Sequence, residues 1–130
     1  EGPSTAHDIS VAVADMPRFL LEAKAAVESA FPGTIASAFG HLGDGNLHFH
    51  VRAGSRARPG WNDSEGHEIE RFVDDLVTAA GGSISAEHGI GQMKRGELER
   101  LAAPGDLAAL RAIKSALDPD GLMNPGKLVD

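Results

Sequence analysis

The chain has 130 residues, 42% of them apolar but only 5% aromatic, and a formal net charge of -7. That length suits one domain able to remove about two-thirds of its unfolded surface from water, with Ala, Val, Leu and Ile filling most of the core. The acidic balance disfavours nucleic acid and acidic membranes, the lack of cysteine excludes disulfides and thiolate metal sites, and no apolar run approaches the roughly 18 residues of a membrane span.

The acidic start does not read as a signal peptide, so a soluble protein is expected and the redox compartment stays open. Residues 1–6 are expected to form a disordered leader. Residues 9–13 alternate and are rich in branched side chains, which predicts a strand. Asp15 is placed to cap a helix with Pro17 in its first turn and an apolar face of Phe19, Leu20, Ala23 and Val27, ended by Phe31-Pro32-Gly33. His7 precedes the strand alone and His67 lies off the next helical stripe, so both are expected to be solvated.

The stretch from Phe39 to His50 reads as a hairpin with arms at 34–40 and 46–52. Asp44-Gly45 between alternating apolar residues predicts a two-residue turn, which would set Leu42 against Leu47 and His41 against His48. Cross-strand Cβ atoms are then roughly 4.5 to 5.5 Å apart, and alternation adds His50 to the same face. The loop at 54–62 carries Arg56 and Arg58, which with Arg52 form a basic cluster; a solvated loop is the preferred reading over an anion site.

Asp63 or Ser64 should cap a helix with Ile69, Phe72, Val73, Leu76, Val77 and Ala80 on one stripe, stopped by Gly81-Gly82. Residues 83–86 read as a short strand. The order strand, helix, strand, strand, helix, strand predicts an α+β fold: a ferredoxin-like antiparallel sheet with helices on one face. A C-terminal helical extension follows, with helices at 92–101 and 106–117, the latter carrying Leu107, Leu110, Ile113 and Leu117, and then an irregular Pro- and Gly-directed tail.

His41, His48 and Glu87 would make a two-histidine, one-carboxylate site of the catalytic kind, with a position left open. The bland alternative, polar residues on a hairpin face and a loop carboxylate, remains open on spacing alone. Glu87 and His88 would point to opposite faces of a regular strand, but Gly89 and Gly91 free the backbone to turn both inward. A phosphate-loop reading of Gly89-Ile90-Gly91 is disfavoured, because Lys94 stands where a third glycine belongs. Lys94 and Arg95 suit a solvated helix face at least as well as an anion site.

Three ordered blocks carry a resemblance: Gly40-His41-Leu42-Gly43-Asp44-Gly45-Asn46-Leu47-His48, then Gly82-Ser83-Ile84-Ser85-Ala86-Glu87-His88-Gly89-Ile90-Gly91, then Leu117-Asp118-Pro119-Asp120-Gly121 with Asn124-Pro125-Gly126-Lys127. Together they resemble the C-terminal part of the FAD-linked oxidases, in particular their D-2-hydroxyacid dehydrogenases: the glycolate oxidase flavin subunit, D-lactate dehydrogenase and D-2-hydroxyglutarate dehydrogenase. The resemblance implies a flavoprotein that oxidises a D-2-hydroxy acid with hydride transfer to FAD. It implies a divalent metal, zinc or manganese, on His41, His48 and Glu87, with His88 as the base that takes the hydroxyl proton. Asn46, His50, Asn124 and Lys127 would shape the substrate or flavin side.

Residues 7–130 would then be the substrate- and metal-binding part of an oxidoreductase. FAD would be bound mainly by an upstream flavin-binding domain absent from this chain, and this part alone would be inactive. An unidentified electron acceptor completes the scheme, with a cytoplasmic location or peripheral membrane attachment through that acceptor. The family's lysine two residues before the Asp of His7-Asp8-Ile9-Ser10, which helps bind the substrate carboxylate, is Ala6 here, and the proline that often follows the Ser-Val pair is Ala12. A rival reading is a stand-alone ferredoxin-like metal- or small-molecule-binding module without redox activity.

Overall fold

In the computed structural model, which describes residues 2–55, 57 and 59–129, the sheet is built around its central strand. That strand is β3 (Asn46–Arg52), flanked by β1 (Ser4–Ser10) and β2 (Ile35–His41) in the antiparallel order β1-β3-β2. Alternation sorts the side chains. Thr5, His7 and Ile9 of β1 pair with Val51, Phe49 and Leu47 of β3, and all six are buried on one face. Helices α1 (Met16–Ala30) and α2 (Glu65–Ala79) cover that face, bringing Phe19, Ala23 and Val27 from one and Ile69, Val73 and Val77 from the other into the core. Ile9, Val27, Val51, Ile69, Val73 and Val77 are essentially inaccessible to water, so branched aliphatics do fill an interior with few aromatics. The fold is α+β with both long helices on one face of the sheet.

Several boundaries differ from expectation. The first strand runs Ser4–Ser10 rather than 9–13, so residues 4–6 of the expected leader are ladder residues paired with Arg52, Val51 and His50. Residues 13–15 instead form a 3-10 turn, because the Asp15 and Met16 amides both donate to the Ala12 carbonyl. Asp15 stands before α1 but makes no cap, its carboxylate pairing with Arg18 at 3.0 Å. Ser64 likewise makes no cap on α2, its hydroxyl donating to Gly60 at 3.0 Å. The fourth strand shrinks to one bridge, Ser10 with Ser83. Ser83 Oγ donates to the Ser85 carbonyl at 2.8 Å and accepts from the Ser85 amide at 3.3 Å, a local ring that competes with a regular ladder.

The described residues divide into two units, one ending at His88 and one beginning at Gly89. The second contains α3 (Arg95–Leu101) and α4 (Pro104–Leu117), followed by the irregular tail. α3 starts later than expected, and α4 starts earlier because Pro104 takes its first helical position. Among the described residues no helix is long and apolar enough to cross a membrane.

Candidate functional site

The hairpin closes with a longer loop than a two-residue turn. His41 pairs with Asn46, Gly40 with Leu47 and Phe39 with His48, leaving residues 42–45 in the loop. The His41 carbonyl accepts from the amides of Asp44 and Gly45, at 3.3 and 3.2 Å, and Asp44 Oδ1 accepts from the Asn46 amide at 3.1 Å. Gly45 is required at its place: φ is +82°, and a Cβ there would lie 2.1 Å from the Val11 carbonyl oxygen. Relative to expectation the register slips by two residues, so His48 faces Phe39 instead of His41. An even slip keeps every side chain on its face. His41 and His48 therefore still converge, diagonally, with ring centroids 5.6 Å apart and the rings edge to face.

That face of the sheet carries polar rows: Ser10, Asn46 and His41; Asp8, His48 and Phe39; Ala6, His50 and Ser37. Among the described residues, α1 and α2 of the same unit lie on the opposite face. Here residues 86–88 run along β1, held by the Ala86 amide on the Asp8 carbonyl at 3.1 Å. The Glu87 and His88 amides both donate to Asp8 Oδ2, at 2.8 and 2.7 Å. α2 delivers the chain to this path through a glycine ending. Gly81 takes φ +70° and donates to Thr78, while Gly82 donates to Val77, closing the helix in the Schellman manner.

Four side chains meet above β1 and β3. Glu87 Oε1 lies 3.5 Å from His48 Nε2 and 4.0 Å from His88 Nε2; His88 Nδ1 lies 3.7 Å from Asp8 Oδ2, and His48 Nδ1 3.9 Å from Asp8 Oδ1. The His48 and His88 rings stack with centroids 5.9 Å apart. One donor atom each from Asp8, His48, Glu87 and His88 falls within 4.8 Å of all the others. His41 stands just outside this group, half-exposed, with Nδ1 3.9 Å from Glu87 Oε2 and 3.8 Å from Asp44 Oδ2. Burial pushes the Asp8 carboxyl up, but the His88 and Glu87 amides and the nearby His88 and His48 rings outweigh it and hold the group below the usual carboxylate range.

The donors suit a divalent ion. Imidazole nitrogens and carboxylate oxygens are what zinc or manganese takes where thiolate is absent. Donors at about 2.0–2.2 Å from a tetrahedral ion sit about 3.3–3.6 Å from one another; the Glu87–His48 separation of 3.5 Å already matches, and the rest of the set, within 4.8 Å, would close in on an ion. On this sheet face Asp8 Oδ1 and Asn46 Oδ1, on residues that are 5% and 4% exposed, are among the buried oxygens of the described residues that lack hydrogen-bond partners. Such orphaned acceptors are uncommon in folded proteins.

The expected residues are thus partly assembled. His48, Glu87 and His88 come together, His41 reaches Glu87, and Asn46 is buried on the same face, paired with His41 in the ladder. His50 stacks on Phe39, with centroids 5.5 Å apart and planes 16° apart. Asn124 and Lys127 belong to the second unit, where Asn124 takes φ +47° and Lys127 donates to Gln92 at 2.6 Å. Arg56 and Arg58 lie outside the described residues. His7 is not solvated but 3% exposed, sharing a hydrogen bond with Thr5 and meeting Phe49 edge-on. His67 is exposed on α2, beside Glu70. Sequence reasoning missed Asp8 and Phe39.

A family model described as FAD linked oxidases, C-terminal domain, matches residues 2–128. The D-2-hydroxyglutarate dehydrogenase of Stutzerimonas stutzeri is 39% identical over 127 residues, covering 94% of this chain and 26% of that protein. The D-lactate dehydrogenase of Archaeoglobus fulgidus is 42% identical over 91 residues, 70% of this chain and 19% of that protein. The glycolate oxidase subunit GlcD of Bacillus subtilis is 38% identical over 93 residues, 69% of this chain and 19% of that protein. The chain spans about a quarter or less of the length of these curated relatives.

Proposed function

Because the chain belongs to the FAD-linked oxidases through their C-terminal domain, we propose that it is the substrate- and metal-binding part of a flavin-dependent enzyme that oxidises a D-2-hydroxy acid to the 2-oxo acid. The observation that carries this reading is the meeting of His48, Glu87 and His88 on a polar sheet face, at separations of 3.5 to 4.0 Å. His48 and Glu87, with His41 turning in from the hairpin, would hold the divalent ion. When bound, such an ion neutralises a substrate carboxylate and makes an adjacent hydroxyl more acidic. FAD, held by a flavin-binding domain, would supply the hydride acceptor, taking the hydrogen on the hydroxyl-bearing carbon with its electron pair.

The side chains of this chain orient and deprotonate. His88 Nδ1 faces the Asp8 carboxylate at 3.7 Å, which leaves Nε2 as the nitrogen that accepts the hydroxyl proton. The O–H pair then closes the C=O bond as the C–H pair departs. Asn46, whose buried side-chain oxygen has no hydrogen-bond partner, is assigned to the substrate or flavin side. His50, ordered by Phe39, is assigned to substrate or flavin contacts.

The test is His88→Asn in the flavin-loaded enzyme. Turnover is expected to fall by about 10²–10⁴-fold, the usual contribution of a positioned base, with metal and flavin contents at parent levels. Turnover within about threefold of the parent would remove His88 from the role.

A further inference from the structure

We propose that Asp8 is the positioning residue of this site, one carboxylate oxygen fixing the backbone of Glu87 and His88 and the other setting the tautomer of His48. Pairing in the ladder puts Asp8 directly opposite His48, and the Asp8 side chain is only 4% exposed. Its two oxygens do different work. Oδ2 is saturated by the amides of Glu87 and His88, at 2.8 and 2.7 Å, and these bonds aim two consecutive side chains at one place. Oδ1 has no hydrogen-bond partner and lies 3.9 Å from His48 Nδ1.

His48 therefore stands between two carboxylates: Asp8 at Nδ1 and Glu87 at Nε2, the latter at 3.5 Å. A neutral imidazole carries one proton, and the carboxylate less screened by water has the stronger claim on it. The Glu87 side chain is 45% exposed and Asp8 is buried, so the proton belongs on Nδ1. That leaves the Nε2 lone pair on the side where Glu87 and His88 meet. A carboxylate behind the far nitrogen of a ligating histidine is also what fixes ring orientation in metal sites. Only this last step rests on the function proposed above, since the tautomer is a property of the metal-free chain.

The experiment uses this chain, labelled with ¹⁵N at histidine, and reads the His48 tautomer from long-range proton–nitrogen spectra at a pH where imidazole is neutral. The parent is expected to carry the proton on Nδ1. In Asp8→Asn the side-chain carbonyl still accepts the Glu87 and His88 amides, while its NH₂ faces His48 Nδ1, so the proton should move to Nε2. Zinc calorimetry on the same pair should show a 10–100-fold loss of affinity in Asp8→Asn. A parent already protonated on Nε2, an unchanged tautomer in the variant, or zinc affinity within threefold of the parent overturns the proposal. Should Asp8→Asn fail to fold, the parent spectrum alone decides. A parent with no zinc affinity sinks the metal reading, and the tautomer comparison then decides the role of Asp8 by itself.

Discussion

His48 is the most enclosed imidazole of the cluster, its side chain 18% exposed against 53% for His41 and 68% for His88. It packs on the Phe39 ring with centroids 5.0 Å apart, and both its nitrogens face carboxylates. His41 is farther out, with Glu87 and Asp44 near its Nδ1 and the His48 ring edge-on to its own. His48→Ala is accordingly expected to lower zinc affinity more than His41→Ala, by about tenfold, when both are titrated calorimetrically beside the parent. Equal losses would show that His41 holds the ion as strongly as His48 despite its greater exposure. At this scale the sequence was informative where parity decides: His41 and His48 share a face at any even register, and Glu87 and His88 stand next to freeing glycines. Asp8 was hidden because a strand starting at residue 9 leaves it outside the ladder. Once β1 starts at Ser4, alternation alone puts Asp8 on the polar face and His7 in the core.

The hairpin loop is the element on which the site's geometry depends most directly. Gly45 has both a positive φ and a Cβ position 2.1 Å from the Val11 carbonyl oxygen, and its own carbonyl accepts from the Val11 amide at 3.1 Å. Gly45→Ala must strain the backbone and push residue 11 away, so a loss of about 2 kcal/mol or more is expected in urea unfolding. A loss under about 0.5 kcal/mol would mean that the loop adopts another conformation at little cost. The helices α1 and α2 were legible because apolar spacings of three and four match the faces they bury. Their capping was not, since Asp15 prefers Arg18 and Ser64 prefers Gly60. The shortened fourth strand was illegible for a related reason: serine hydroxyls bond locally, and alternation cannot register that competition.

For the whole molecule, element order and periodicity sufficed for an α+β fold with both long helices on one face, because burying two helical stripes against an alternating sheet has few solutions. The division after His88 left no mark in composition. Each unit also carries a carboxyl held below its ordinary range. In the second, the Lys114 side chain and the Met123 amide outweigh burial and, with the Leu122 amide, hold the Asp118 carboxyl below its ordinary 3.8. Between the folded and unfolded values the unfolded chain binds more protons. This stabilisation is therefore complete above the unfolded value and is lost as pH falls through the folded one. Amide exchange at Leu122 and Met123, corrected for intrinsic rate, should rise as pH is lowered from about 5 to about 2, and Asp118→Asn should flatten that dependence. An equally steep rise in the variant would assign the effect to another carboxylate. The bonds from Glu87 and His88 to Asp8, finally, span 79 and 80 residues. Closing a loop of that length costs about 4 kcal/mol of chain entropy, against a hairpin that closes over a few residues. His41 and His48 are thus expected to be in place early in folding and the cluster to be completed late, when the segment after α2 docks on β1. A ligand of the finished cluster should then act as a brake on unfolding: zinc is expected to lower the unfolding rate and leave the refolding rate unchanged. Faster refolding in zinc would place the docking of residues 86–88 before the rate-limiting step.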